Sequence, residues 1–237
     1  MSKNTRNIII SIILITISII FTFLVKVIDV KEIGTANISV GFATINEFVF
    51  NKIGVNMLWY HITDWLGIIP ILIAGVYAIK GFIQMIKRKS ILKVNKEIIA
   101  LGIFYIVVIT LYIFFEKYIV NYRPILMNGL KEASYPSSHT LITICLCGSS
   151  IIINKMFYSN KMTKCMNIFS FIIICITVLG RLISGVHWFT DIIGGIIISS
   201  ALLMTLYSCF YNINMKKQYQ TLQKWNICSL KYVVKYY

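Results

Sequence analysis

Ile8–Val25 reads IIISIILITISIIFTFLV, eighteen residues without a charge. At 1.5 Å per residue such a helix is about 27 Å long, close to the roughly 30 Å of a bilayer's hydrocarbon core. Lys3 and Arg6 precede it, as basic residues precede a secretory leader. The apolar core is longer than a leader's, and no small-x-small cleavage site follows between Phe23 and Val30, so the run is expected to be a retained membrane helix.

Five more apolar runs follow, at about Trp65–Ile86 (interrupted by Pro70 and Lys80), Ile98–Phe115, Thr140–Ile153 (short, but extendable at either end), Met166–Ile183 and Ile192–Tyr211. The whole chain agrees with them: 58% of its 237 residues are hydrophobic, mean hydropathy is +0.79, and only 13% are charged. A soluble domain carries about 25% charged residues, and disordered chains are poor in apolar residues. The expected fold is therefore all-α, an integral membrane bundle of six transmembrane helices over residues 1–211, followed by a basic tail at 212–237.

The formal charge of +15 does not point to nucleic acid. The Lys and Arg residues sit in short clusters between the apolar runs, and neither zinc-finger spacing nor an RNA-binding aromatic signature is present. Net charge alternates along the chain. The N-terminus (Lys3, Arg6), residues 87–97, residues 154–165 and the tail (Lys216, Lys217, Lys224, Lys231, Lys235) are clearly positive. Residues 26–64, 116–139 and 181–191 are near neutral. Positive loops remain in the cytoplasm, so both termini are expected inside and the three near-neutral segments outside. The outer stretch Ile38–Phe50 is too short to span and is expected to lie along the interface. The tail, with Tyr219, Trp225, Tyr232, Tyr236 and Tyr237, is expected either to rest on anionic inner-leaflet lipid or to act only as a topology signal. Cys145 and Cys147 are one residue apart, not two, and read as small apolar residues of a helix. No segment expected outside the cytoplasm holds a cysteine, so no disulfide is expected.

Two of the outer segments carry residues that a membrane protein rarely holds without a use. One runs Glu116-Lys117-Tyr118-Ile119-Val120-Asn121-Tyr122-Arg123-Pro124 and continues to Tyr135-Pro136-Ser137-Ser138-His139-Thr140. The other runs Gly180-Arg181-Leu182-Ile183-Ser184-Gly185-Val186-His187-Trp188-Phe189-Thr190-Asp191. Two of the three histidines and two of the four arginines thus meet at one membrane face, where ionisable groups are costly and mark function. His61 has no such company and reads as an ordinary residue.

The chemistry these groups offer is coherent. His187 and Asp191, four apart, would share a helix face, and a carboxylate accepting from one ring nitrogen leaves the other as a nucleophile. Arg123 and Arg181 are planar forks suited to phosphate oxygens. Ser137 adds a hydroxyl, and the N–H groups where the fourth helix begins attract anions. A protonated His139 can supply a proton to a leaving alkoxide. No metal-ligand spacing and no cofactor motif is present, so none is expected.

With these residues the chain resembles the type 2 phosphatidic acid phosphatase family, which includes the bacterial undecaprenyl-diphosphate phosphatases. The family signature is Lys, six residues and Arg-Pro; then Pro-Ser-Gly-His; then Ser-Arg, five residues, His, three residues and Asp. Arg123-Pro124 match the end of the first motif, Pro136, Ser137 and His139 the second, and Arg181, His187 and Asp191 the third. The resemblance implies His187 as nucleophile, Asp191 as its partner and His139 as general acid. It implies phosphate binding by Arg123, Ser137, Arg181 and the backbone near Ser138, without a metal, on a lipid phosphate or diphosphate embedded among membrane lipids.

Three departures stand out. Ser138 replaces glycine, which would tighten the loop if that position needs positive φ. Gly180 replaces the serine before Arg181, removing a hydroxyl. Glu116, not lysine, stands six residues clear of Arg123; Lys117 is one place along, about 100° around a helix, and would reach the phosphate only by its flexible stem. The residues leave open a phosphotransferase using the same site, and a transporter or structural membrane protein. Undecaprenyl diphosphate, phosphatidic acid and phosphatidylglycerol phosphate all remain open as the lipid, and the sequence does not specify an oligomeric state.

Overall fold

The computed structural model describes residues 1–33, 38–127 and 129–235. Six helical spans are long and apolar enough to cross a membrane among these residues, as the apolar runs require; the protein is a multi-pass membrane protein. The elements are α1 (Lys3–Val27), a β1–β2 hairpin (Lys31–Ile33, Ile38–Val40), α2 (Ala43–Ile53), α3 (Met57–Leu66), α4 (Ile68–Arg88), α5 (Lys96–Lys117), α6 (Ser138–Phe157), α7 (Lys161–Ser184) and α8 (Phe189–Lys235). The second span starts earlier than its apolar run, at Met57, and breaks at Gly67 between α3 and α4. Asp64, read from sequence as a loop charge, therefore lies inside a helix.

Helix α6 is the centre of the bundle. Leu141, Cys145, Cys147, Ile153, Ser149 and Ser150 on it are all buried. Its small residues allow close approach; a Cβ on Gly148 would lie 2.5 Å from a methyl of Leu203 on α8. Helices gain little from apolar burial when the alternative is lipid, so close packing and interhelical hydrogen bonds carry the association, at about 0.6–2 kcal/mol per bond. Tyr77 Oη on α4 donates to Asn154 Oδ1 at 2.7 Å, Asn154 Nδ2 donates to Asn167 Oδ1 on α7 at 3.0 Å, and the hydroxyls of Ser11 and Ser208 join α1 to α8 at 3.1 Å.

At the end of the bundle away from the two motif segments, Glu97 is buried and bound by Lys217 Nζ at 2.8 and 2.9 Å. Lys80, the ionisable residue in the second apolar run, places Nζ over the ring of Tyr158. Helix α8 continues without interruption past residue 211 to Lys235. Tyr236 and Tyr237, and the side chains of Trp225 and Tyr232, on which a lipid-bound tail depends, lie outside the described residues.

The stretch 38–50 forms strand β2 and most of helix α2. Asp29 Oδ2 accepts the Thr44 N–H at 2.7 Å and so caps α2 from outside, an interaction that, with Lys31, holds the Asp29 carboxyl at about 2. Helix α2 then packs on the start of α8: Asn46 Nδ2 donates to Thr190 Oγ1 at 2.9 Å, and Thr190 N–H donates to Asn46 Oδ1 at 3.1 Å. Phe50 lies 5.6 Å from the ring of Trp188. The first loop is thus a buttress for the region that carries the second motif cluster.

Candidate active site

The three segments expected on one face do meet at one end of the bundle. Between α5 and α6 the chain doubles back: Arg123 N–H donates to the Glu132 carbonyl at 3.0 Å and Ser134 N–H to the Asn121 carbonyl at 2.9 Å. The doubled strand sets Ser134 beside Asn121 and Arg123 beside Glu132. Ser137 N–H then donates to the Asp191 carbonyl at 3.0 Å, tying the start of α6 to the start of α8. On the other side, α7 ends at Ser184 with Gly185 as a left-handed cap, φ +65°. A Cβ at Gly185 would sit 2.0 Å from the Gly54 carbonyl, so only glycine permits this turn to lie against the α2–α3 connection.

His187 lies in the short link between α7 and α8, not on α8 itself. The expectation that a shared helix face brings Asp191 to its ring therefore does not describe the geometry. Asp191 sits in the first turn of α8 and is fully buried. Its Oδ2 accepts the Trp188 N–H at 2.9 Å and the Ser134 hydroxyl at 2.5 Å, and Oδ1 accepts Asn121 Nδ2 at 3.4 Å. His187 Nδ1 lies 3.0 Å from Ser134 Oγ and 3.1 Å from the Ser134 carbonyl. Because the Ser134 hydroxyl donates to Asp191, its oxygen is left to accept, so Nδ1 carries the hydrogen and Nε2 the lone pair. Burial, together with the positive charges of Arg123, Arg181 and His139, holds the His187 pKa well below its usual value. Burial thus favours the neutral imidazole, and Nε2 has no hydrogen-bond partner among the described residues.

Around it stand buried polar atoms with no hydrogen-bond partner among the described residues: His187 Nε2, His139 Nδ1, Ser137 Oγ, Arg181 Nε and Nη1, and Arg123 Nη1. Each buried polar group left unpaired costs about 1–3 kcal/mol. A cluster supplied by four separate segments is the form of a prepared anion cradle. Arg181 is wholly buried, with Cζ 5.0 Å from the centre of the Tyr60 ring. Arg123 Nε lies 3.2 Å from Glu132 Oε2, an ion pair by distance.

Ser138 opens α6 and is not among the positive-φ residues, so its replacement of glycine strains nothing. Lys117 is exposed at the end of α5, whereas Glu116 lines the narrow pocket beside His187, with Tyr112, Phe115, Ser134 and Ser138. The one-residue slip thus puts a carboxylate, not the lysine, beside the cradle. Gly180 has a packing reason. A Cβ there would lie 2.4 Å from Thr63 Cγ2 and 2.9 Å from the Trp59 ring, so the missing side chain is the space α3 occupies. His61 is exposed and edge-on to Tyr60.

Sequence reading missed Ser134, Asn121 and Asp64. Ser134 sits one residue before the Tyr-Pro-Ser-Ser-His run and had a signal in that proximity; Asp64 had none.

The PAP2 superfamily matches residues 98–215, the segment from α5 into α8 that carries all three motifs. The chain belongs to the PAP2 superfamily. No curated protein matches it by sequence. A PAP2-type transmembrane phosphatidylglycerolphosphate phosphatase from Bacillus subtilis has a similar fold, with TM-score 0.53 and 18% identity over 87% of this chain and 96% of that one. Among the described residues no group of three or more His, Cys, Asp or Glu is arranged to hold a metal ion.

Proposed function

We propose that this PAP2 protein is a lipid phosphatase that works through a phosphohistidine at His187. The observation that carries the reading is the set of buried polar atoms of Arg123, Arg181, Ser137 and His139, without partners among the described residues, gathered around an equally unpartnered His187 Nε2.

The reaction has two steps. The Nε2 lone pair attacks phosphorus and the bond to the lipid oxygen breaks. Arg123, Arg181 and the Ser137 hydroxyl balance the charge on the equatorial oxygens, and His139 delivers a proton to the departing oxygen. Water then attacks phosphorus, His139 takes back a proton, and the N–P bond breaks to release phosphate. Ser134 and Asp191 hold the His187 ring and stabilise its positive charge while the N–P bond exists. No step uses a metal, because two guanidinium groups already supply the positive charge.

The hydrocarbon part of the substrate has a place. An apolar groove of about 450 Å³ lies between α1, α5 and α8, lined by Ile15, Ile19, Phe23, Leu111 and Leu202 among others. Lys26 and Tyr118 stand at its end nearest the site, and Phe115 lines both this groove and the pocket beside His187. A chain lying in the groove brings its phosphate to the cradle. Loop charge supports the remaining placement: the site on the extracytoplasmic face and both termini in the cytoplasm.

Phosphate release by the purified protein in lipid nanodiscs tests this, with phosphatidylglycerol phosphate, phosphatidic acid and undecaprenyl diphosphate compared, EDTA present, and His187→Ala alongside. Release from at least one lipid, unaffected by EDTA and absent in the variant, is expected. Turnover by His187→Ala would overturn the mechanism.

A further inference from the structure

Asp64 lies on α3, outside the segment that the PAP2 superfamily matches. Its Oδ1 is 3.1 Å from His139 Nε2 and 3.3 Å from Arg181 Nη2. One carboxylate oxygen therefore joins the proton donor to a phosphate-binding arginine across two helices. Three glycine contacts put it there. Gly180 leaves room for Thr63 and Trp59 against α7, so Asp64, the residue after Thr63, meets Arg181, the residue after Gly180. Gly185 lets the α2–α3 connection close over the end of α7. Gly67 ends α3 against the His139 ring, where a Cβ would be 3.2 Å from Cδ2.

We propose that Asp64 is a positioning residue for the general acid, and that Gly180 stands where the family has serine because α3 must come close enough to deliver it. This rests on the reading of His139 as the proton donor.

The charges facing His139 are Asp64 from α3, Arg181 from α7, Arg123 from the α5–α6 segment and the His187 ring before α8. Asp64 is the one anion among them. Three cationic or potentially cationic neighbours oppose the imidazolium that a general acid must be; a carboxylate on Nε2 counters them in part and fixes the ring. It leaves Nδ1, which is buried and unpartnered, as the nitrogen that gives up and regains the proton. Its hold on Arg181 is through Nη2, and Nε and Nη1 of Arg181 have no partner among the described residues and can meet phosphate. A second Asp–His pair thus mirrors the first: Asp191 with Ser134 orients the nucleophile, and Asp64 orients the acid.

The test uses the full chain in nanodiscs with the preferred lipid, and inorganic phosphate as competitive inhibitor. Asp64→Asn is isosteric and the residue is half exposed, so folding should persist; the thermal midpoint checks it. Expected are a fall in kcat of about 10- to 100-fold, phosphate inhibition at least as tight as in the parent, and partial recovery in Asp64→Glu. The double variant with His139→Gln should be no slower than His139→Gln alone, because both changes remove one function. Asp64→Asn turning over within about twofold of the parent while His139→Gln is inactive would overturn the proposal alone. Parallel loss of kcat and phosphate affinity would also overturn it, by making Asp64 a merely structural residue. Parental turnover in His139→Gln would instead remove the proton donor from the mechanism itself.

Discussion

His187 and Asp191 are joined through Ser134, whose hydroxyl donates to Asp191 at 2.5 Å while its oxygen lies 3.0 Å from His187 Nδ1. The carboxylate is linked to the proposed nucleophile through a third side chain that comes from a different segment of the chain. Ser134→Ala removes the hydroxyl but leaves the Ser134 carbonyl, 3.1 Å from Nδ1, as acceptor. We expect kcat to fall by about 10- to 100-fold, less than for His187→Ala, with KM nearly unchanged, because the ring loses orientation and not its lone pair. Steady-state kinetics of the two variants and of Asp191→Asn check this; full activity in Ser134→Ala would show the carbonyl alone to be sufficient.

The depressed pKa of His187 makes a statement about acid stability. The unfolded histidine titrates near 6.5, and the folded one well below it. The folded state therefore gains from a neutral His187 in full above about pH 6.5, and that gain is lost as pH falls from there toward the folded pKa. Between pH 7 and pH 5 the thermal midpoint of the parent should drop further than that of His187→Gln, which cannot titrate. Equal drops would mean that other groups govern acid unfolding.

The two arginines and the lysine should separate. Arg123→Ala and Arg181→Ala each remove a charge at the cradle and are expected to lower kcat/KM by about 10²- to 10³-fold. Lys117 is exposed and does not line the pocket, so Lys117→Ala should change kcat/KM by no more than about threefold. A large loss in Lys117→Ala would show that the lysine swings in when lipid binds.

Gly180→Ala places a methyl 2.4 Å from Thr63 Cγ2. Overpacking of this kind costs about 1–3 kcal/mol, and here it also pushes Asp64 away from Arg181 and His139. Both thermal stability and kcat should fall. Adding Thr63→Ser removes the clashing methyl and should recover part of each. If Gly180→Ala is as stable and active as the parent, the approach of α3 to α7 is not tight in the working protein.

Much of this protein was legible along the chain. The six spans follow from uninterrupted apolar runs, because a backbone crossing hydrocarbon must satisfy its own hydrogen bonds and does so as a helix. Arg123, Ser137, His139, Arg181, His187 and Asp191 were visible because ionisable and polar residues in ordered motifs stand out against an apolar background. Local spacing misled in one place. His187 and Asp191 are four apart, yet α8 starts only at Phe189, so no shared helix face links them. For residues 38–50, read as an interfacial segment, the spacing did not show the packing of Asn46 on Thr190 of α8 and of Phe50 on Trp188 just before it.

What tertiary structure alone decided is how these residues are held. Asp64 reaches Arg181 across 117 positions of sequence and Ser134 reaches Asp191 across 57. A carboxylate on a helix end and a serine in a loop have nothing in their own neighbourhoods to mark them. Their partners are set by which helices come close, and that is decided by absences such as the missing side chains at Gly180 and Gly185. The amino-acid sequence determined the membrane helices and the charged and polar groups proposed to bind phosphate, because hydrophobicity and charge are properties of single residues. The hydrogen bonds that hold His187 and His139 came only with the fold, because a hydrogen bond depends on distance and direction between segments that packing brings together.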